Sequence, residues 1–246
     1  MAWRLIFPLA KLILQAPTVA QIVPDDSLGA ERSVVMPDGI GGLPSDRIDG
    51  GAIRGSNLFH SFSEFNIQEG RGAYFSNPDG ITNILTRVTG TNRSNILGTL
   101  GVLGNTNLFL INPNGIIFGS NARLDLRGSF LASSASGILF ESFEFSTINP
   151  QATPLLTVNI PIGLRFRENP AAIVNQSAVS RVVLGVPTAV GLQVSTGQTL
   201  ALVGGDLTLN SGNVTISVPN ICGIAALTKK GEGGRGKGIW DTCPCF

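Results

Sequence analysis

Residues 200–216 read LALVGGDLTLNSGNVTI. Leu200-Ala201-Leu202 is followed seven residues on by Leu207-Thr208-Leu209, and after the same interval by Val214-Thr215-Ile216. Gly204, Gly205 and Gly212 lie in the gaps. In an extended strand the outer residues of each triplet share one face and the middle one takes the other. Three such strands make a unit of about 21 residues, inside the period range of solenoids. A triangular coil with one short strand per side fits this length. Stacking would set like residue over like, with apolar ladders inside. At about 4.8 Å per coil, some ten coils would build a rod of roughly 50 Å.

The alternative is a β-sandwich with hairpins of similar spacing. Three features favour the coil. Charge is low, Asn-Gly corners abound, and the strands are shorter than the five or six residues usual in sandwiches. Ala122-Arg123-Leu124-Asp125-Leu126-Arg127 alternates apolar and charged residues, as a half-buried strand does. Asn112-Pro113-Asn114-Gly115 and Asn77-Pro78-Asp79-Gly80 read as turns, because Pro presets φ and Gly supplies the positive φ that other residues resist. Helical periodicity is nearly absent after residue 20. The aromatic stretch Asn57 to Ile67 (NLFHSFSEFNI) could plug an open solenoid end with Phe59, Phe62 and Phe65. Thr147 to Pro161 (TINPQATPLLTVNIP) reads as an excursion from the rod.

Composition narrows the function. The 246 residues carry 17 Lys or Arg against 16 Asp or Glu, and charged residues are 13% of the chain against roughly 25% in an ordinary soluble domain. No basic surplus exists to bind nucleic acid. A single His cannot build His-based metal clusters, and three Cys, all beyond residue 220, cannot staple the body. At 43% hydrophobic the chain is too apolar to be disordered.

Residues 1–20 (MAWRLIFPLAKLILQAPTVA) have the order of a secretory signal peptide. Arg4 precedes an apolar run from Leu5 to Leu14, and small residues lead to cleavage after Ala20. Lys11 and Pro8 interrupt the run, and no stretch reaches the roughly 18 apolar residues of a transmembrane helix. The expectation is an exported protein without a stable transmembrane anchor.

Catalytic constellations are thin. His60 is the one candidate imidazole base, and no G-x-S-x-G elbow accompanies it. A structural or surface role suits it better. Asp25, Asp26, Asp125, Asp206, Glu141 and Glu144 are scattered, although a carboxylate pair of the kind used by β-helix glycosidases and lyases stays open. GEGGRGKG (231–238) has phosphate-loop spacing, but Gly238 stands where Ser or Thr should bind magnesium. Cys243 and Cys245 offer too few ligands for structural zinc. Asn92-Arg93-Ser94, Asn175-Gln176-Ser177 and Asn213-Val214-Thr215 match glycosylation acceptors and suggest surface loops.

NLFHSFSEFNI (57–67), RVTG (87–90), NLFLINPNGIIFG (107–119) and GSFLASSA (128–135) together resemble the two-partner secretion domain of filamentous haemagglutinin-like exoproteins, also called the haemagglutination activity domain. GLRFRENPAAIVNQS (163–177) and LALVGGDLTL (200–209) resemble that family's later coils, so the likeness spans residues 21–218.

The resemblance implies an all-β fold: a single-stranded, right-handed parallel β-helix with an N-terminal cap and a β excursion. It implies a non-enzymatic secretion address without cofactors or metals. An outer-membrane β-barrel transporter would recognise the domain through its POTRA domains, and the protein would pass through the periplasm to the cell surface. There a host or neighbouring-cell surface would be its further contact. Asn112, Pro113, Asn114, Gly115 and Ile116 match the family's secretion motif, acting either as a contact or as a corner that fixes strand register. The family's second, NPNL-type motif is not present as such. A carbohydrate-active or carbohydrate-binding β-helix is the competing expectation. Residues 219–246 lose the coil pattern and are expected to be a degenerate, disordered tail, the product of truncation or a frameshift.

Overall fold

A computed structural model describes residues 22–154, 160–183, 186–210, 212–215 and 225–226. The expected signal peptide, the Cys residues, the 231–238 loop and most of the 219–246 tail lie outside the described residues.

The chain begins with β1 (Ile22–Pro24), a hairpin of β2 (Ser33–Ile40) and β3 (Leu43–Gly50), and β4 (Ala52–Arg54). Coiling starts at β5 (Asn57–Phe65) and β6 (Gly72–Phe75). A coil of β7 (Asn83–Val88), β8 (Ser94–Ile96) and β9 (Thr99–Val102) follows, then one of β10 (Asn107–Ile111), β11 (Ile116–Phe118) and β12 (Arg123–Asp125). After β13 (Phe130–Ser133) the chain leaves the rod for β14 (Gly137–Leu139), β15 (Glu144–Ser146) and β16 (Gly163–Arg165). It returns at β17 (Ile173–Asn175), makes a hairpin of β18 (Ser180–Val183) and β19 (Val186–Ala189), and resumes at β20 (Leu192–Gln193). β21 (Leu200–Gly204), β22 (Leu207–Leu209) and β23 (Val214–Thr215) form a further coil, and β24 (Ala225–Ala226) adds a rung to its first side.

These strands stack into three parallel faces, which excludes the sandwich. The first face runs β5-β7-β10-β13-β21-β24 and the second β8-β11-β17-β22. The third runs β3-β6-β9-β12, with β20 and β23 paired separately. The three triplets of residues 200–216 thus open three different faces, as one strand per side requires. The protein is a parallel β-helix.

Among the described residues the rod is shorter than ten coils. The first face holds six parallel strands among the described residues, a stack of roughly 25 Å. Coils are also longer than 21 residues: Asn57, Asn83 and Asn107 occupy one register column, 26 and 24 residues apart. The cap and the excursion use much of the remaining chain.

The cap also differs from the sequence expectation. The aromatic stretch is itself the first rung, β5. The cap comes from residues 22–54, where β1 and β4 pair antiparallel with the two halves of β5. The β2–β3 hairpin extends the third face. Antiparallel pairing covers the edge of β5 that a preceding coil would otherwise need to occupy.

Strand alternation on the first face sorts side chains into two cores. Leu58, Phe62, Ile84, Val88, Leu108, Leu110, Phe130, Ala132, Leu200 and Leu202 fill the helix interior. Phe59, Leu85, Phe109, Leu131 and Ala201, one residue out of phase, face the opposite way. The antiparallel sheet β15-β14-β16 covers this outer column with Ile138, Phe140 and Phe145. Phe59 meets the Phe145 ring edge-on at 4.9 Å. The expected excursion at Thr147–Pro161 is the connection between β15 and β16, so the departure from the rod is wider than the sequence suggested.

Candidate functional site

The Asn112–Ile116 motif forms the corner between β10 on the first face and β11 on the second. Pro113 takes the second place of the turn, where its fixed φ suits the reversal. The Gly115 amide closes the turn by donating to Asn112 O at 3.0 Å. Gly115 has φ +101°, and a Cβ there would lie 2.7 Å from Ala172 O of the next coil. Only glycine meets both conditions without strain.

Asn112 is fully buried and has its polar groups satisfied. Its Nδ2 donates to Asn92 O at 3.0 Å and Ser94 Oγ at 2.9 Å, both on the preceding coil. Its Oδ1 accepts from the Asn114 amide at 2.9 Å. Its own amide donates to Ser133 O on the following coil at 2.9 Å. Asn114 Nδ2 donates to Gly90 O at 2.8 Å. Ile116 points into the interior, in register between Ser94 and Ile173. The motif thereby bonds three successive coils together, and β11 has both main-chain edges paired.

A related corner escaped the sequence reading. Asn175, also fully buried, accepts from the Ser177 amide at 3.0 Å and donates to Asn213 O at 3.3 Å. The Asn57–Asn83–Asn107 column was missed as well. Asn83 Nδ2 donates to Asn57 Oδ1 at 2.9 Å, Asn107 Nδ2 to Asn83 Oδ1 at 3.0 Å, and Asn107 Oδ1 accepts from the Ser129 amide at 2.9 Å. The signal was present: NLF, NIL and NLF each open a first-face strand. Asn77–Gly80 lies at a different corner, leading from the third face back to the first, and is not stacked on Asn112–Gly115.

His60 lies inside the coil, fully buried, with its ring 5.1 Å from that of Phe75. Nδ1 is 3.0 Å from Ser33 Oγ. Burial depresses its pKa to about 3, the Asp49 charge opposing only in part, so the imidazole is neutral. The scattered carboxylates do not converge. Asp25 is held by Ser27, Ser61 and Thr89, Glu144 by Arg165, and Asp125 by the Tyr74 hydroxyl. Within the cap, Arg47 pairs with Asp38 and Asp49, and Asp46 pairs with Arg71 just before β6. Burial pushes Asp49 up, but hydrogen bonds from Ser76 and Arg47 outweigh it and leave its pKa lowered. A general acid needs the opposite shift. Of the glycosylation triplets, Asn175 is enclosed, and Asn92 Nδ2 donates to Glu64 Oε1.

Residues 20–235 match the TPS secretion domain. The chain belongs to the TPS secretion domain family. A TPS domain marks the exported member of a two-partner secretion system. Membership therefore implies a partner outer-membrane transporter and delivery to the cell surface or the extracellular space. The match to the TPS domain runs beyond Val218 to Arg235. No curated protein matches the chain. Among the described residues no helix is long and apolar enough to cross a membrane, and no group of three or more His, Cys, Asp or Glu could hold a metal ion.

Proposed function

We propose that this TPS domain is a non-enzymatic secretion address, read by the POTRA domains of its transporter while the chain is still unfolded. The burial of Asn112 supports this reading best. In the finished coil the motif has no free polar group on Asn112 and no free edge on β11. Recognition by strand addition to a POTRA sheet needs an unpaired main-chain edge, so it precedes coil closure and competes with it. Each coil formed outside the membrane then offers the next a template, and folding proceeds by neighbour addition. In that second stage Asn112–Ile116 works as a register-fixing corner. The folded surface is left to contact a host or neighbouring cell.

The test replaces Asn112 and Asn114 with Ala and measures export beside refolding of the purified chain. Slower refolding with proportionate loss of export is expected. Lost export with normal refolding would overturn the corner role and make the motif a contact. Co-purification of the unfolded chain, but not the folded one, with a POTRA-bearing barrel is expected. Equal capture of both would sink the order of events.

The ion pairs of Arg47 with Asp38 and Asp49, and of Arg71 with Asp46, favour a second reading, a carbohydrate-binding or carbohydrate-active β-helix. Each of these carboxylates is already paired with an arginine, which suits a solvated face better than acid–base chemistry. Cleavage of polysaccharide by purified protein, abolished in Asp49→Asn, would establish the second reading.

A further inference from the structure

The N-terminal cap and the excursion are distant in sequence but complete each other's hydrogen bonds. Arg54, at the end of β4, is 7% exposed. Its Nε donates to Pro154 O at 2.6 Å and its Nη2 to Thr153 O at 3.1 Å. Glu31 takes the other side of the fork, at 3.0 and 2.6 Å. Arg87, on β7, is fully buried. Its Nη1 donates to Ser146 O and its Nη2 to Gln151 O, both at 3.0 Å, and its guanidinium carbon lies 4.3 Å from the centre of the Phe145 ring. Its remaining bonds go to Ser27 in the cap and Ser61 on the first rung.

Both arginines thus draw acceptors from main-chain carbonyls 59 to 100 residues farther along the chain. A guanidinium carries five donors and cannot shed its charge. Left buried without those carbonyls, it would strongly disfavour a closed cap. The same excursion covers Phe59 and Leu85.

We propose that the cap, residues 22–54, and the described part of the excursion, residues 137–154 and 160–165, open and close as one unit latched by Arg54 and Arg87, separately from the coils beyond. The cap is complete only once the chain through Pro154 is available to it. A chain emerging N-terminus first would carry an open cap until then, a consequence that rests on the export reading. The coupling itself is a property of the folded domain and is tested without a transporter.

Hydrogen–deuterium exchange of the full chain, read by peptide mass, makes the test. In the parent protein, peptides over β1 and β4 should open with the same free energy as those over β14–β16. Arg54→Met should raise exchange in both groups by a similar factor, about tenfold or more, and leave residues 107–118 unchanged. Arg54→Lys, which keeps the charge but cannot span Glu31 and both carbonyls, should fall between. Arg87→Met should reproduce the pattern more strongly. Should that variant fail to fold, the Arg54 pair still decides. Faster exchange in the cap alone, or equal acceleration throughout the chain, would overturn the latch.

Discussion

Asp25 and Arg87 are joined through two hydroxyls. Arg87 donates from Nη2 to Ser27 Oγ at 2.7 Å and from Nε to Ser61 Oγ at 2.9 Å, and each hydroxyl donates in turn to one oxygen of Asp25. Thr89 adds a third hydroxyl to the carboxylate. Burial raises the Asp25 pKa, but these hydrogen bonds outweigh it and hold it below the usual carboxylate range. Burial lowers the Arg87 pKa to about 10, with Asp25 opposing, so both groups are charged at neutral pH. The pair ties cap to first face without direct contact.

Ser61→Ala removes one of the two linking hydroxyls, leaving Arg87 Nε without a partner while Asp25 Oδ2 keeps Thr89. A loss of about 1–3 kcal/mol is expected, the cost of leaving a buried polar group unsatisfied. The urea midpoint measures it. A midpoint equal to the parent's would mean that solvent replaces the hydroxyl.

Acid should weaken the domain well above the carboxylate range. His60 binds its proton at about 3 in the fold and near 6.5 once unfolded. Between those values the unfolded chain holds a proton that the folded chain does not, so stability falls as pH drops below about 6.5. Asp25, Glu31 and Asp49, all held below their ordinary values, add a loss of the same sign below about pH 4. His60→Phe should flatten the stability profile between about pH 6.5 and 4.5 and keep the steeper acid limb. An unchanged slope in that upper window would show that His60 is not responsible.

Gly115→Ala should cost about 1–3 kcal/mol, because it combines a positive φ with a close approach to Ala172 O. Gly80→Ala is the control. It shares the positive φ, at +82°, but has no atom within 4 Å of a new Cβ. The difference between the two, read as denaturant midpoints, isolates the crowding from the next coil. Equal midpoints would mean that the coils do not press on the corner.

Interior and outward positions should respond very differently. Phe130 is fully buried on β13 and meets Phe118 edge-on at 6.2 Å. Phe130→Ala should lose about 3–5 kcal/mol. Leu103→Ala, at a site 49% exposed, should stay within about 0.5 kcal/mol of the parent. Thermal or urea denaturation of both variants checks the contrast.

The parallel coil was legible because its signal is local. Triplets such as Leu207-Thr208-Leu209 need only period-two alternation and a glycine between them, and each side of the coil repeats that demand. The Asn112–Ile116 corner was legible for a like reason, since Pro and Gly dictate backbone angles within the turn itself. The Asn column was harder to read because its members lie 24 and 26 residues apart, an uneven period that hides the repeat.

By itself the sequence determined the all-β character, the three-sided coil and the turn at Asn112–Gly115. Each follows from side-chain alternation and backbone sterics over a few neighbouring residues. Tertiary structure alone decided which residues make the cap, how few coils there are, that His60 lies inside, and that Arg54 and Arg87 meet carbonyls of residues 146–154. Those outcomes depend on which distant segments compete to cover a sheet edge or satisfy a buried charge, and nothing in the local sequence states the winner.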